Sequence, residues 1–209
     1  MKYTVKEIYH TLQGEGRHTG RPAVFLRFTG CNLWTGQDTD RAHAVCQFCD
    51  TDFVGTDGPG GGKFPDAVSL ARAVRDTWPG GADPYVVLTG GEPLLQLDAL
   101  LIDALHTEGF TIGLETNGTL LVPPGVDWVC VSPKAQAPLV QITGHELKLV
   151  YPQAGAEPER YAHLAFDHFF LQPMDGPDRE RHTAMVLAYC AAHPRWQVSL
   201  QTHKLLGIP

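Results

Sequence analysis

Short, β-rich apolar runs recur along this chain with helical patterns between some of them, and that alternation restricts the fold more than any other feature. The runs cover residues 23–28, 85–88, 111–114, 126–131, 146–150, 168–171 and 197–200. Most are almost continuously apolar, as strands covered on both faces are. Asp66 is placed to cap a helix with Val68, Ala71, Val74 and Trp78 on one face. Leu97, Leu100, Leu101, Ala104 and Leu105 mark a second helix ended by Gly109, and residues 179–192 a third that stops before Pro194. Such units join parallel strands by right-handed crossovers, so the expected class is α/β. The links 117–125 and 132–145 leave no room for a full helix, the second because it contains Pro133 and Pro138. A complete eight-unit barrel takes about 250 residues. With 209 residues, the expectation is an incomplete, trimmed (β/α) barrel with parallel strands, a single domain over residues 1–209.

Polar and unusual residues gather just after the C-terminal ends of these runs. Cys31 follows the first, Thr89-Gly90-Gly91-Glu92-Pro93 the second, Glu115-Thr116-Asn117 the third and Ser132-Pro133-Lys134 the fourth. Gln172-Pro173-Met174-Asp175 and Thr202-His203-Lys204 follow the last two. Parallel α/β folds build active sites at that edge, although any one such loop would be polar anyway. The glycine-rich stretch 55–62 reads as a mobile surface loop, because no strand feeds it and no Gly-Lys-Ser/Thr follows.

The formal charge of -7 argues against nucleic acid or an anionic membrane surface as the main partner. No apolar run is long enough to span a bilayer, and the stretch 1–7 lacks an apolar signal core, so the expected location is the cytoplasm. Five cysteines make an odd set, and a reducing compartment favours a metal site over disulfides.

Cys31, Cys46 and Cys49 are spaced C-x14-C-x2-C, with the first at a strand end. Thiolates suit zinc or an iron-sulfur cluster. A structural zinc site needs a fourth ligand, which His43 could supply, since Cys130 and Cys190 sit in apolar surroundings and read as core. Three thiolates on a cubane instead leave one iron open. The turn Thr89-Gly90-Gly91-Glu92-Pro93 adds glycines that let a ligand approach the backbone, yet alone it is compatible with an ordinary strand-to-helix loop.

Together these motifs resemble the radical S-adenosylmethionine (SAM) superfamily, whose usual motif is C-x3-C-x2-C with an aromatic residue before the last cysteine, here Phe48. The chain departs from it by an insertion at about residues 32–45. More narrowly it is similar to the 7-carboxy-7-deazaguanine synthases, through Leu12-Gln13-Gly14-Glu15-Gly16, Arg27-Phe28-Thr29-Gly30-Cys31-Asn32-Leu33, Cys49-Asp50-Thr51, the Gly90-Gly91 turn, Glu115-Thr116-Asn117-Gly118, Ser132-Pro133-Lys134, Gln172-Pro173-Met174 and the terminal stretch from Thr202 to Pro209. A longer connection costs little closure entropy, so the insertion still lets the thiolates share one cluster.

The resemblance implies a 4Fe-4S cluster on Cys31, Cys46 and Cys49, SAM chelated at its open iron, and a 5′-deoxyadenosyl radical made by one-electron cleavage. It implies conversion of 6-carboxy-5,6,7,8-tetrahydropterin to 7-carboxy-7-deazaguanine by ring contraction and loss of ammonia, on the queuosine and 7-deazapurine route, with SAM regenerated. The implied SAM contacts are Phe48, Gly91, Glu92, Ser132, Pro133, Lys134, Gln172, Pro173, Met174 and Asp175. The implied substrate contacts are Leu12, Gln13, Gly14, Arg27, Thr89, His203 and Pro209; a guanidinium fork at Arg27 suits a carboxylate. Thr51 is the implied Mg2+ ligand, with Asp50 and Asp52 able to assist through water. His10 and His18 stand as further candidates at the substrate mouth or as plain surface histidines. Implied partners are the small-molecule pterin, an external one-electron reductant of flavodoxin or ferredoxin type, and a second copy of the chain in a homodimer, with no nucleic acid and no membrane. A glycyl-radical-enzyme activase and a non-catalytic zinc-stabilised domain are the competing readings.

Overall fold

In the computed structural model, which describes residues 3–209, side-chain alternation along the strands builds one sheet with two different faces. The strands are β1 (Tyr3–Leu12), β2 (Pro22–Phe28), β3 (Gly62–Phe64), β4 (Tyr85–Gly90), β5 (Thr111–Thr116), β6 (Trp128–Val131), β7 (Thr143–Tyr151), β8 (Ala165–Pro173) and β9 (Trp196–Val198). They lie in the order β3-β1-β2-β4-β5-β6-β7-β8-β9. From β2 to β9 every pairing is parallel, as expected of a trimmed barrel. β1 corrects that expectation, because it pairs antiparallel with both β2 and β3 and was not among the expected strands. Lys6, Glu7 and His10 interrupt its apolar pattern. β3 and β9 are the two edges and do not pair with each other, so the barrel stays open.

One face packs under helices. Val24, Leu26 and Phe28 of β2, with Leu88 and Leu114 of β4 and β5, meet α1 (Ala67–Thr77) and α2 (Ala99–Thr107). A second cluster sets Val131, Leu147, Leu149 and Leu171 against Val186 of α3 (Arg179–Ala192). Each such fully buried aliphatic side chain contributes roughly 1.5–3 kcal/mol through removal from water. No helix separates β5 from β6 or β6 from β7, as their short links require.

Capping fixes where the helices begin. Ser69 N donates to Asp66 Oδ1 at 2.8 Å, and Leu101 N donates to Asp98 Oδ1 at 3.0 Å. Asp66→Ala is expected to lower stability by about 1 kcal/mol, read as a shift in denaturant midpoint; an unchanged midpoint would show that the cap is dispensable. The expected apolar faces need correction at two places, since Val68 is 52% and Leu100 66% exposed. Leu70 and Ile102 take the buried positions instead.

The glycine-rich stretch is a stitched segment and not a mobile loop. Gly58 N donates to Lys6 O at 3.1 Å, Ile8 N donates to Pro59 O at 2.6 Å, and Lys6 Nζ binds Asp52 and Asp57 at 2.7 and 2.8 Å. A Cβ on Gly61 would collide with the Lys6 carbonyl oxygen, so the backbones need that glycine to meet. Of the stretch 1–7, Met1 and Lys2 lie outside the described residues; Tyr3 already stands in β1. No helix among the described residues is long and apolar enough to cross a membrane.

Candidate active site

The sheet's other face is apolar around Ala23, Phe25, Tyr85 and Val87 and polar beyond them towards the strand C-termini, and strand register explains why its polar groups meet. Glu7 lies opposite Arg27, Arg27 beside Thr89, Glu115 beside Cys130 and Cys130 beside Glu146. Thr89 Oγ1 closes the row by donating to Glu115 Oε2 at 3.5 Å. Neighbouring residues in register share a face, so residues from six strands form one belt. Above it, towards the strand C-termini, opens a cavity of about 590 Å3.

The three expected cluster ligands all line this cavity. Cys31 stands just past β2, where Leu33 N donates to its Sγ at 3.4 Å. The intervening insertion folds back on itself: Val45 N and Cys46 N both donate to Leu33 O, at 3.1 and 3.3 Å, which returns Cys46 to the level of Cys31. Arg41 lies over the Trp34 ring at 4.0 Å and donates to the carbonyls of Gln47 and Cys49, at 3.2 and 2.9 Å. The insertion thus braces the cluster loop. Hydrogen bonding from Cys46 brings the Cys49 thiol down to about 6, against the effect of burial, and the same bond with burial pushes Cys46 up. An acidic thiol in a cavity wall is what a soft metal group binds. His43, the fourth ligand a zinc site would need, is exposed and does not line the cavity. The donor set therefore fits a cluster with one iron left open to a ligand.

Of the residues expected to contact SAM, Phe48, Gly91, Ser132, Lys134, Gln172, Pro173 and Asp175 line the same cavity. Glu92, Pro133 and Met174 do not; they stand behind its wall. Glu92 is fully buried and its carboxylate accepts from Thr116 Oγ1 and Asn117 N, both at 2.8 Å, and from Leu94 N at 3.0 Å. It buttresses the turn, with three protein donors on its carboxylate. Burial pushes its carboxyl up, and those three donors hold it back. The Pro133 carbonyl accepts from Gln153 Nε2 at 3.4 Å, and the Met174 carbonyl is 2.9 Å from His182 Nδ1. Gly91 has a stringent requirement of its own, because a Cβ there would strike the Gly30 carbonyl and the Cys31 side chain. Lys134 Nζ donates to the Ser132 carbonyl and hydroxyl, at 2.6 and 2.7 Å, and lies 6.0 Å from the Phe48 ring centre. Burial lowers its pKa, and its proximity to Cys46 opposes that shift.

All seven expected substrate contacts, Leu12, Gln13, Gly14, Arg27, Thr89, His203 and Pro209, line the cavity. Arg27 faces inward with its Nε donating to Glu7 Oε1 at 2.7 Å and Nη2 to Tyr9 Oη at 3.1 Å. That pairing removes the cost an isolated charge would carry there. The tail is no frayed end: Thr11 Oγ1 donates to Pro209 O at 2.9 Å. Thr51, Asp50 and Asp52 line the wall as well. His18 lies away from this cavity, 3.1 Å from Tyr85 Oη and packed on Trp128, and His10 is exposed against Trp78.

Several further side chains line this space without a motif that marks them. Lys148 Nζ, buried, bridges Glu15 at 2.5 Å and Glu115 at 3.3 Å. Cys130, read as core, is buried but turned to the cavity, its Sγ 3.5 Å from Glu146 Oε1. Glu7, Tyr9 and Gln201 join them. For those on strands the advance signal is the parity of their positions relative to Arg27 and Thr89, which becomes readable once register is known; Gln201 lies on no strand and carries no such signal.

A model of the radical SAM superfamily matches residues 38–139. The 7-carboxy-7-deazaguanine synthase of Bordetella pertussis is 65% identical over the full length of both chains. That of Caulobacter vibrioides is 63% identical, again over both full lengths. Among solved structures, the crystal structure of QueE from Escherichia coli superposes with a TM-score of 0.72 at 28% identity, covering 96% of this chain and 94% of that one.

Proposed function

The chain belongs to the 7-carboxy-7-deazaguanine synthase family of radical SAM enzymes, and from that premise we propose that its cavity converts 6-carboxy-5,6,7,8-tetrahydropterin to 7-carboxy-7-deazaguanine with loss of ammonia. The observation that carries the reading is the meeting of three thiols, a tight diglycine turn and an oriented guanidinium in one cavity. When bound, the cluster and SAM would supply one-electron radical chemistry next to the substrate.

The chain's own residues bind, orient and shield. Cys31, Cys46 and Cys49 hold the cluster. Gly91 lets the turn close against Gly30 and Cys31 beside the place where the amino group of SAM binds, and Lys134, Ser132 and Gln172 offer hydrogen bonds along the neighbouring strand ends. Arg27, held by Glu7 and Tyr9, presents its remaining N–H donors to the substrate carboxylate. Gln13, Thr89 and His203 surround the ring, and the Pro209 backbone oxygen faces its N–H groups. Thr51 offers a hard oxygen to Mg2+, whose other ligands come from substrate or water. Cys190 stands alone on α3 and Cys130 lies inside the cavity. The electron is therefore assigned to an external flavodoxin-like or ferredoxin-like donor. The working unit is a homodimer in the cytoplasm, where free thiols stay reduced.

Anaerobically reconstituted protein, given reductant, SAM, Mg2+ and the carboxytetrahydropterin, is expected to form 7-carboxy-7-deazaguanine without stoichiometric loss of SAM. Consumption of one SAM per turnover, or no product, overturns the proposal. Omitting Mg2+ with a chelator is expected to slow turnover, and an unchanged rate removes the role given to Thr51.

A further inference from the structure

The seam left open between the two sheet edges is crossed by the C-terminal segment. Gly16 N donates to Ser199 Oγ at 3.0 Å, and Thr202 donates through N and Oγ1 to the Gly14 carbonyl at 3.0 and 2.9 Å. The His203 ring fills the space a side chain on Gly14 would occupy. His203 and Pro209 therefore reach the cavity on a strap, whereas Arg27 and Thr89 reach it on strands. Little apolar burial holds that strap down: α4 (Thr202–Leu206) buries none of its residues, and Leu205 and Leu206 are 62% and 65% exposed. Polar contacts must do so, and the charged ones converge on Lys204. Its Nζ lies 2.5 Å from Asp50 Oδ2 and 2.6 Å from Asp175 Oδ2. Asp50 stands between Cys49 and Thr51, and Asp175 follows the end of β8. One ammonium thus joins the cluster loop, the SAM-side rim and the strap.

We infer that Lys204 is a positioning residue, which clasps Asp50 and Asp175 and thereby holds the strap carrying His203 and the Pro209 carboxylate against the cavity. The inference rests on the substrate reading above and adds a coupling between the cofactor half of the cavity and the pterin half. Each ion pair is partly exposed and small by itself. Loss of the ammonium, however, also leaves two carboxylates facing each other across the mouth, and their repulsion lifts the strap. The clasp needs a cation that can reach both oxygens, so a guanidinium will serve and a neutral chain will not.

The test has two readouts on K204M, K204R and D175N. In cluster-free protein, K204M is expected to speed hydrogen exchange of the amides of residues 202–209 by about ten-fold, the lower end of what hydrogen bonds to charged groups supply once exposure is discounted. In loaded enzyme it is expected to raise KM for the carboxytetrahydropterin by a similar factor while kcat stays near wild type. K204R restores both, and K204M costs less when combined with D175N than alone, because the two act through one contact. Unchanged exchange, an unchanged KM, a fall in kcat alone, or strict additivity with D175N each overturn the clasp. An inactive wild-type enzyme overturns the substrate reading instead, and the exchange measurement still judges the clasp.

Discussion

Cys46→Ala and Cys49→Ala proteins, reconstituted anaerobically, are expected to lack the brown cluster absorbance and to form no product above the uncatalysed background, a fall of at least roughly six orders of magnitude. The physical reason lies in the count of soft donors. Cys31, Cys46 and Cys49 are the three thiols that line the outer cavity near the diglycine turn, and His43 is too exposed to replace one. Two thiolates cannot hold a cubane against loss of iron where the nearby wall offers mainly hard oxygen donors, carboxylates among them. Cys190→Ala is the control, because that side chain packs beside Val186 on the far side of the sheet. It is expected to keep both colour and turnover. Iron and sulfide analysis with product assay checks all three proteins, and retained turnover in metal-depleted Cys49→Ala would sink the cluster chemistry.

The second large effect concerns stability. Lys148→Met removes a cation with a 6% exposed side chain from between Glu15 and Glu115, and is expected to cost about 3–5 kcal/mol, as breaking a buried pair from one side does. Against a total stability of about 5–15 kcal/mol, that leaves a marginal fold. The pH profile carries a sign that a lost packing contact would not. Burial pushes Glu15 up, but Lys148 and Gln201 outweigh it and bring the carboxyl below its ordinary value of 4.5. A depressed carboxyl contributes stability that is present above the unfolded value and lost as pH falls through the folded one. Burial opposes the charge on Lys148, yet Glu115 and Glu15 hold its pKa well above the ordinary value of 10.5, so the ammonium persists through the neutral range. Wild-type protein is therefore expected to lose stability below about pH 4.5. In Lys148→Met the buried Glu15 carboxyl loses the cation that holds it down, its pKa rises, and the variant should gain stability as pH is lowered from 7 towards 5. Denaturant midpoints across that range decide the matter; parallel profiles for the two proteins would mean that the buried ammonium and carboxylate are not ionised as a pair.

How much of this was legible beforehand depends on whether a residue's role is set by its near neighbours. The cysteines, the Gly90-Gly91 turn and Asp66 were readable because spacing of a few residues fixes their function: a C-x2-C pair, a backbone that must approach a ligand, an N-cap three residues before its donor. β1 was missed because its cavity face carries Glu7, Tyr9 and Thr11, and an interior that is polar hides the apolar pattern by which strands are found. Glu92 looked like a ligand contact by its place in the motif. Only the tertiary structure shows that Thr116, at the end of β5, and Asn117 just past it donate to its carboxylate. The glycine-rich stretch looked loose because nothing local explains it, while its partner, the backbone of Lys6 and Ile8, lies some fifty residues earlier in the chain.

By itself, then, the order of residues determined the α/β class, the helix starts, the donor set for a soft metal group and the edge of the sheet at which chemistry would be built. Those properties follow from local backbone preference and from the chemistry of side chains within a turn of one another. Tertiary structure alone decided which strand residues face the cavity, how Lys148 sits between two glutamates, and how a strap from the chain's end completes the wall. Register and seam closure set these, and a one-residue slip would send Arg27, Thr89 and Lys148 to the opposite face. Contacts between residues more than a hundred positions apart, as between Glu15 and Lys148, exist only after the sheet has curled to bring its edges together.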